Sequence, residues 1–339
     1  MLDPAAPRRA ERFREFNARG GKFRVAVTNA CNLDCFFCHN EAMPNPRRPD
    51  EAAAARAARD RLGPADLAAI VDAYCALGGA QVNITGGEPL AWGGLTELLE
   101  RVERRATKLV LNSNVLLAER LLRRPRIEAL SGILASLHTT DDAQFEARLG
   151  RGSAREVMDN IVALSRHGYA VEVNYSLGPY NRDEFPRVLE FCATHGLSLK
   201  AIALVRPHEA PDFYGGEWVD PRWLEALLEA RGAVSRGVRD ALGGRTTEYR
   251  LGDAQVKVKN IARGRLVTSY CAGCPHHATC GEGIYGLRVG VDGVWKPCLL
   301  RQEAFVAVDA RPYAEQILEL IDRMLGDEPA RRFVEGAPS

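Results

Sequence analysis

Apolar and polar positions along this chain form a pattern that predicts strands and helices in turn. Short apolar runs, typical of buried parallel strands, occupy residues 23–28, 80–85, 108–112, 132–137, 169–176 and 198–204. Segments with apolar residues at helical spacing follow them, at residues 64–77, 94–105, 116–129, 154–167, 183–195 and 220–232. Six strand–helix units in order predict a parallel sheet with its helices packed outside.

The order of these elements also predicts the domain organisation. Because crossovers between parallel strands are right-handed, six such units over residues 21–235 would curl into an open barrel. Residues 1–20 carry an arginine-rich run interrupted by acids, which predicts a solvated helical extension. A smaller second domain is predicted at residues 236–310, followed by a C-terminal helix and tail at residues 311–339.

Composition and charge narrow the classes of partner. The chain has 339 residues, 46% of them hydrophobic, which is enough for a sizeable core and one appended module. Its 45 basic and 44 acidic residues balance to +1, so nucleic acid is not an expected partner. With no long apolar run and no signal peptide, we predict no membrane partner. Nine cysteines without a secretion signal predict a cytoplasmic protein that binds metal.

Three cysteines directly after the first predicted strand carry the strongest chemical signal. They follow the spacing C-x3-C-x2-C, at Cys31, Cys35 and Cys38. Thiolates at such spacing ligate iron–sulfur clusters, and three ligands leave one iron free to bind a small molecule. A closed structural zinc site has four ligands instead. Zinc, or three unrelated buried cysteines, are the alternatives.

Four further cysteines form a second set near the C-terminus. Their spacing is C-x2-C-x5-C-x17-C, at Cys271, Cys274, Cys280 and Cys298. The run from 289 to 298 predicts a β-hairpin, because Asp292-Gly293 is a favoured two-residue turn. Four thiolates suit either a fully ligated cluster or tetrahedral zinc, and the spacing alone does not separate the two. The remaining pair, Cys75 and Cys192, fall in helical patterns and are predicted core residues.

Polar residues close several of the predicted strands. Gly86-Gly87-Glu88-Pro89 ends the second strand, and its two glycines would let the backbone approach a neighbour closely. Later strands end with Asn112, Ser136, His138 and Asn174. Polar side chains at the carboxyl ends of parallel strands line the mouth of a barrel. The alternative is that they only cap the helices that follow.

The cysteine triad, Phe37 and the Gly-Gly-Glu-Pro run together resemble the radical S-adenosylmethionine (SAM) superfamily. The resemblance implies a partial (β/α)6 TIM-like barrel and a four-iron, four-sulfur cluster held by the triad, the catalytic cysteines. The free iron would chelate SAM, and one electron would split it to a 5′-deoxyadenosyl radical. It also implies a reductant such as flavodoxin or ferredoxin. Residues expected to bind SAM are Phe37, Gly86, Gly87, Glu88, Asn112, Ser136, His138 and Asn174.

The C-terminal cysteines resemble a second family feature. The pattern Cys280-x12-Gly293-x4-Cys298 is similar to the auxiliary-cluster domains called SPASM and Twitch. This resemblance implies a second, auxiliary four-iron cluster in residues 236–310. The shorter Twitch type fits, because too few cysteines remain for two auxiliary clusters.

Among radical SAM families, the chain most resembles the cyclic pyranopterin synthase group of molybdenum-cofactor biosynthesis. Arg24 and Arg288 match arginines that contact substrate there, with surface ion pairs as the alternative. Two basic positions of that family are Gln81 and Asn83 here, although Asn83 keeps its place among the expected substrate-binding residues. In that family the auxiliary cluster has three cysteines and an open iron that holds the purine, whereas Cys280 would here add a fourth ligand and close that site. The family's C-terminal double glycine is also missing. These differences argue against GTP as the substrate.

The sequence therefore predicts a radical SAM enzyme that abstracts hydrogen from a small anionic substrate. A nucleoside or nucleotide sugar of natural-product (antibiotic) biosynthesis is the first choice, because two arginines are expected at the barrel mouth. Three alternatives are a peptide-modifying maturase of ribosomal natural products, a cyclic pyranopterin synthase acting on GTP, and a zinc-binding protein without enzymatic activity.

Overall fold

The elements of the chain were assigned in a computed structural model that describes residues 5–47, 49–57, 61–204, 219–275, 277, 280, 282–327 and 332–334. The α-helices there are α1 Ala6–Ala18, α2 Ala52–Ala57, α3 Pro64–Ala76, α4 Leu95–Arg101, α5 Glu119–Leu122, α6 Asp142–Leu149, α7 Ala154–Arg166, α8 Phe185–Thr194, α9 Arg222–Ala230 and α10 Tyr313–Leu325. The strands are β1 Lys22–Ala26, β2 Gln81–Thr85, β3 Lys108–Ser113, β4 Leu130–Ser136, β5 Val171–Leu177, β6 Ser198–Ala203, β7 Val234–Ala241, β8 Gly244–Leu251, β9 Ala254–Asn260, β10 Arg265–Val267, β11 Gly286–Gly290, β12 Val294–Lys296, β13 Val306–Ala307 and β14 Arg332–Val334.

The six predicted strands form the centre of one large sheet. Strands β1 to β6 lie side by side in chain order, and every neighbouring pair among them is parallel. Helices connect them, which confirms the α/β class and the partial barrel. Two helices are shorter than expected: α4 ends at Arg101, and α5 ends at Leu122, with Pro125 soon after. Proline lacks the N–H that a continuing helix would need.

The sheet does not end with β1 and β6. Strand β11 pairs in parallel with β1, and β9 pairs in parallel with β6. The full order is β13-β12-β11-β1-β2-β3-β4-β5-β6-β9-β8-β7. The predicted small domain therefore supplies strands to both edges of the barrel sheet, while its separation at residue 236 stays a prediction.

The N-terminal helix is more deeply packed than a solvated extension would be. Phe13 and Phe16 of α1 are buried, and Phe13 meets the ring of Tyr74 edge-on at 5.4 Å. Helix α1 also packs along α10. The expectation of a solvated helix was wrong for the face that carries Phe13 and Phe16. The arginines lie at other positions of the helix, and their number made the apolar face hard to recognise in the sequence.

The C-terminal hairpin forms as expected. Strands β11 and β12 pair antiparallel across the turn at Asp292-Gly293, where Gly293 has a φ of 68°. Trp295 of β12 is buried and donates its indole N–H to Gln316 at 2.8 Å. Both Cys75 and Cys192 are buried in the core, as predicted. Within the described ranges, no helix is long and apolar enough to cross a membrane.

Candidate active site

The first cysteine loop follows β1 directly and holds its three thiols half-buried. The backbone N–H of Leu33 donates to Cys31 Sγ at 3.4 Å, and that of Asn40 donates to Cys38 Sγ at 3.4 Å. Such bonds to sulfur tune iron–sulfur clusters. Burial raises the pKa of Cys31 to about 11 and also raises that of Cys35. Without metal these thiols are protonated, so ligation would release protons.

The donor chemistry of this loop fits an iron–sulfur cluster. Its three thiols are half-buried on one short loop, and two of them accept backbone N–H hydrogen bonds. Iron–sulfur clusters are held by cysteine thiolates. A structural zinc ion takes four ligands, whereas the C-x3-C-x2-C run offers three cysteines.

The Gly-Gly-Glu-Pro run after β2 packs against this cysteine loop. The N–H of Gly87 donates to the carbonyl of Thr28 at 2.7 Å, and that of Glu88 to the carbonyl of Ala30 at 2.8 Å. A Cβ at Gly87 would lie 2.0 Å from the Ala30 oxygen, and one at Gly86 2.4 Å from the Thr28 oxygen. The glycines are therefore needed for close approach to the residues just before Cys31.

Glu88, expected to contact SAM, is engaged within the protein. Its carboxylate accepts hydrogen bonds from the Leu90 N–H at 2.8 Å, the Ser113 hydroxyl at 2.7 Å and the Asn114 N–H at 2.7 Å. Burial raises the pKa of this carboxyl group. In this arrangement Glu88 ties the end of β2 to the end of β3.

Asn114 is a site residue that was not predicted from the sequence. Its amide donates to Asn32 at 2.8 Å and lies 3.8 Å from Cys31 Sγ. Asn112, the residue selected from the same Asn-Ser-Asn run, instead accepts from the Asn83 amide at 2.8 Å inside the barrel. The sequence signal that could have indicated Asn114 is its position one residue beyond β3, in the loop that contacts the first cysteine loop.

Three more of the expected cofactor residues lie on β4, on β5 or just beyond. Ser136 and Asn174 are direct neighbours across these strands. The ring of His138 lies 5.1 Å from the Phe37 ring, edge to face, and so beside Cys38. Burial lowers the pKa of His138 to about 4, and its Nδ1 accepts from the Ser176 N–H at 3.1 Å. His138 is therefore a neutral imidazole at physiological pH.

A group of lysines faces the barrel interior. We call it the lysine group; its half-buried members are Lys22, Lys200, Lys257 and Lys259. They alternate along β1, β6 and β9 with fully buried apolar residues that face the helices, and Lys200 lies opposite Lys257. Strand β9 was not predicted, although its Val-Lys-Val-Lys alternation is typical of a half-buried strand.

The lysine group carries more positive charge than its surroundings neutralise. Lys257 pairs with Glu172 at 3.2 Å, whereas among the described residues Lys200 and Lys259 form no salt bridge. Burial, together with the charge of Lys200, lowers the pKa of Lys22 and of Lys259 to about 8. This excess of positive charge suits a polyanionic ligand.

The two arginines expected to bind substrate share an internal partner. Arg24 and Arg288 lie side by side on β1 and β11. Their Nε atoms donate to Glu41 at 3.0 Å and 3.1 Å, and Arg288 is buried. Burial alone would raise the pKa of Glu41, but the two guanidinium charges hold it well below its usual range. Both arginines therefore form ion pairs, as in the alternative, but these pairs are buried. Their partner, Glu41, was not selected from the sequence.

The second cysteine set lines one cavity. All four thiols, Cys271, Cys274, Cys280 and Cys298, border the same small pocket, together with Tyr270 and His277. The N–H of Leu300 donates to Cys298 Sγ at 3.4 Å, as in the first loop. Four thiols around one mainly apolar space fit a fully ligated cluster.

Comparison with known proteins agrees with this site. The radical SAM superfamily model matches residues 25–192, which include the first cysteine set and the ends of β1 to β5. The probable GTP 3′,8-cyclase of Archaeoglobus fulgidus is 29% identical over 310 residues, covering 90% of this chain and 94% of that protein. The GTP 3′,8-cyclase of Nitrobacter winogradskyi is 25% identical over 315 residues, covering 90% and 85%.

A solved structure supports the fold over nearly the whole chain. Streptococcus suis SuiB bound to its precursor peptide SuiA superimposes with a TM-score of 0.60 at 13% identity, covering 96% of this chain and 69% of SuiB. The prediction of SAM and a four-iron cluster as cofactors is confirmed by the family match. The individual ligand and SAM-contacting residues stay predictions. The cysteine loop, the barrel and the family match agree that this chain is an enzyme of the radical SAM superfamily.

Proposed function

We propose that the enzyme abstracts a hydrogen atom from a nucleoside triphosphate, with GTP as the first candidate. The observation that carries this proposal is the lysine group inside the barrel. The curated relatives named GTP 3′,8-cyclase, which match along 84% to 90% of this chain, support the choice of GTP. A cyclisation of GTP like that of those relatives is the reaction we expect.

The lysine group removes the main objection to GTP. The objection was that Gln81 and Asn83 stand where the related family has basic residues. Here Lys200 and Lys259 bring positive charge from β6 and β9 to the same interior, and Gln81 accepts a hydrogen bond from Lys22 at 2.7 Å. Triphosphate oxygens are strong acceptors for such ammonium groups.

The first cysteine loop is proposed to hold the SAM-binding cluster. When bound, that cluster supplies the electron that splits SAM to the 5′-deoxyadenosyl radical. Asn114 and the Leu33 N–H orient the sulfur of Cys31. His138 is neutral and packs against Phe37, so it adds no charge next to the cofactor. A small electron carrier such as flavodoxin or ferredoxin is the proposed reductant.

A second candidate substrate is a nucleoside or nucleotide sugar. It is favoured by Cys280, which borders the same cavity as the other three C-terminal cysteines. If all four bind the auxiliary cluster, no iron stays open to hold a purine ring. A substrate without a purine would then suit the site.

The test is an anaerobic assay of the reconstituted enzyme with dithionite and SAM. Release of 5′-deoxyadenosine is measured with GTP, guanosine, a uridine diphosphate sugar, or no substrate. We expect strong stimulation by GTP and weak stimulation by guanosine. Exchanging Lys200 and Lys259 for Ala should remove the advantage of GTP, while the exposed Lys108→Ala serves as the matched control.

The substrates separate the two candidates. Equal stimulation by guanosine and GTP would contradict a role of the lysine group in binding phosphate. Stimulation by the sugar nucleotide with GTP inert would establish the second candidate.

A further inference from the structure

The turn that follows the first cysteine loop has an unusual backbone. Asn40, Glu41 and Ala42 have φ angles of 45°, 51° and 57°, a region that residues other than glycine rarely adopt. The turn is held by the Asn40 amide, which donates to the carbonyls of Met43 and Pro44 at 3.3 Å each. Three strained residues in succession persist only where their surroundings fix them.

In this turn the side chain of Glu41 points inward, toward Arg288. Glu41 is buried and accepts from Arg288 Nε at 3.1 Å and from the Thr85 hydroxyl at 3.2 Å. On its other side, Arg288 donates through Nη2 to Glu282, which is also buried. A single guanidinium thus joins two buried carboxylates, and we call this the Glu41–Arg288–Glu282 bridge.

Both ends of the bridge lie next to cysteines. Glu41 is three residues beyond Cys38 of the first set, and Glu282 is two residues beyond Cys280 of the second. The two cysteine sets are more than 230 residues apart in sequence. The bridge therefore connects the two loops through ionic hydrogen bonds inside the protein.

Arg288 has little capacity left for a substrate. Besides Glu41 and Glu282, it donates through Nη1 to the Gly286 carbonyl at 3.0 Å and through Nη2 to the Tyr285 hydroxyl at 3.2 Å. Its side chain is only 2% exposed. A guanidinium committed in four directions and shielded from solvent fixes other groups in place.

We propose that the Glu41–Arg288–Glu282 bridge is a positioning element that holds the two cluster loops in one fixed relation, so that a change in one loop alters the cluster in the other. The proposal rests on the proposed function for the ligands of the SAM-binding cluster, takes the second cysteine set as the ligands of the auxiliary cluster, and does not depend on the identity of the substrate. A planar fork is required, because it must meet two carboxylates at once.

The test measures each cluster separately by electron paramagnetic resonance and by redox titration of the reconstituted enzyme. Variants lacking the first set (Cys31, Cys35 and Cys38 to Ala) or the second (Cys271 and Cys274 to Ala) assign the two signals. The bridge variants are Glu41→Gln, Glu282→Gln and Arg288→Lys. The matched control is Glu225→Gln, a buried glutamate that pairs with Arg263 at 2.6 Å outside the bridge.

The decisive result is the effect of each variant on the distant cluster. We expect Glu41→Gln to shift the g values and midpoint potential of the auxiliary cluster, and Glu282→Gln to shift those of the SAM-binding cluster. Arg288→Lys, which keeps the charge but lacks the fork, should shift both, and Glu225→Gln neither. The proposal is overturned if Glu41→Gln and Glu282→Gln each alter only the cluster of their own loop.

Iron content separates this proposal from the ligand assignment. If a Gln variant fails to load its clusters, Arg288→Lys supplies the same comparison, and shifts in neither signal would overturn the bridge. If Cys280→Ala retains all its iron and an unchanged auxiliary signal, Cys280 is no ligand, and both the assignment and the bridge fail. A Cys280 that is no ligand would leave an iron open for a purine and so support GTP, which makes failure of the bridge distinguishable from failure of the proposed function.

Discussion

The affinity for GTP should fall steeply as the pH rises from 7 to 9, because the lysine group loses its charge in this range. The perturbation is the pH itself, and the residues responsible are Lys22 and Lys259. Burial lowers the pKa of each to about 8, since the charged ammonium is disfavoured away from water. Ordinary lysines, with a pKa of about 10.4, would stay charged throughout this range.

The magnitude follows from the two pKa values. With a pKa of about 8, each lysine is about 90% protonated at pH 7 and about 10% protonated at pH 9. If the triphosphate needs both charges, affinity falls about 100-fold over this range; if it needs only one, about tenfold. Bound phosphate restores the charge, so at pH 8 each lysine takes up about half a proton, or about one per GTP.

The nearby His138 and Tyr285 do not titrate in this window, whereas burial lowers the pKa of Lys200 as well. His138 has its pKa lowered to about 4 by burial, and Tyr285, whose ring lies 4.3 Å from Lys259 Nζ, has its pKa raised to about 12. Arg24 and Arg288 stay charged at every pH used. The change in affinity can therefore be attributed to the lysines.

The assay is anaerobic titration calorimetry of the reconstituted enzyme with GTP at pH 7, 8 and 9. Repeating it at pH 8 in two buffers of different ionisation enthalpy gives the number of protons taken up. Lys259→Arg, which stays charged, should reduce the fall in affinity to about tenfold. Affinity that stays constant from pH 7 to 9, or binding without proton uptake, would refute the reasoning.

Three other changes should have defined effects. Gly87→Ala should lower the iron retained by the first cysteine loop, because its Cβ would lie 2.0 Å from the Ala30 oxygen; unchanged iron content would contradict the packing described. Phe16→Ala should lower the free energy of unfolding by about 3–5 kcal/mol in urea titrations, because a buried ring is removed; a loss below about 1 kcal/mol would show that α1 is peripheral. Cys298→Ala should remove about four irons per chain and leave the first cluster, whereas Cys35→Ala should abolish release of 5′-deoxyadenosine; either variant with wild-type iron and activity would falsify its ligand assignment.

Local patterns made much of the fold predictable. Each of the six barrel strands carries apolar residues at about every second position, and most of these residues are buried in the structure. The cysteine spacing and the Gly-Gly-Glu-Pro run identified the superfamily, because a cluster ligated from one loop confines its ligands to a short stretch of sequence. The hairpin of β11 and β12 was likewise predictable, because Asp-Gly is a favoured two-residue turn.

Long-range pairing was not predictable in the same way. Strand β9 alternates Val and Lys, which predicts a strand but does not say which edge it joins. Its parallel pairing with β6 is decided by the packing of residues far apart in sequence. Only that pairing brings Lys257 and Lys259 beside Lys200, and no local pattern in the sequence reveals it.

The roles of charged side chains depended on the tertiary structure most of all. By itself the sequence determined the six barrel strands, the two cysteine sets and the presence of two arginines, because short patterns carry these features. Tertiary structure alone decided that Arg24 and Arg288 meet Glu41, and that Glu88 closes on the end of β3. A charge acts on whatever lies within a few ångströms of it, and those neighbours come from segments that only the folded chain brings together.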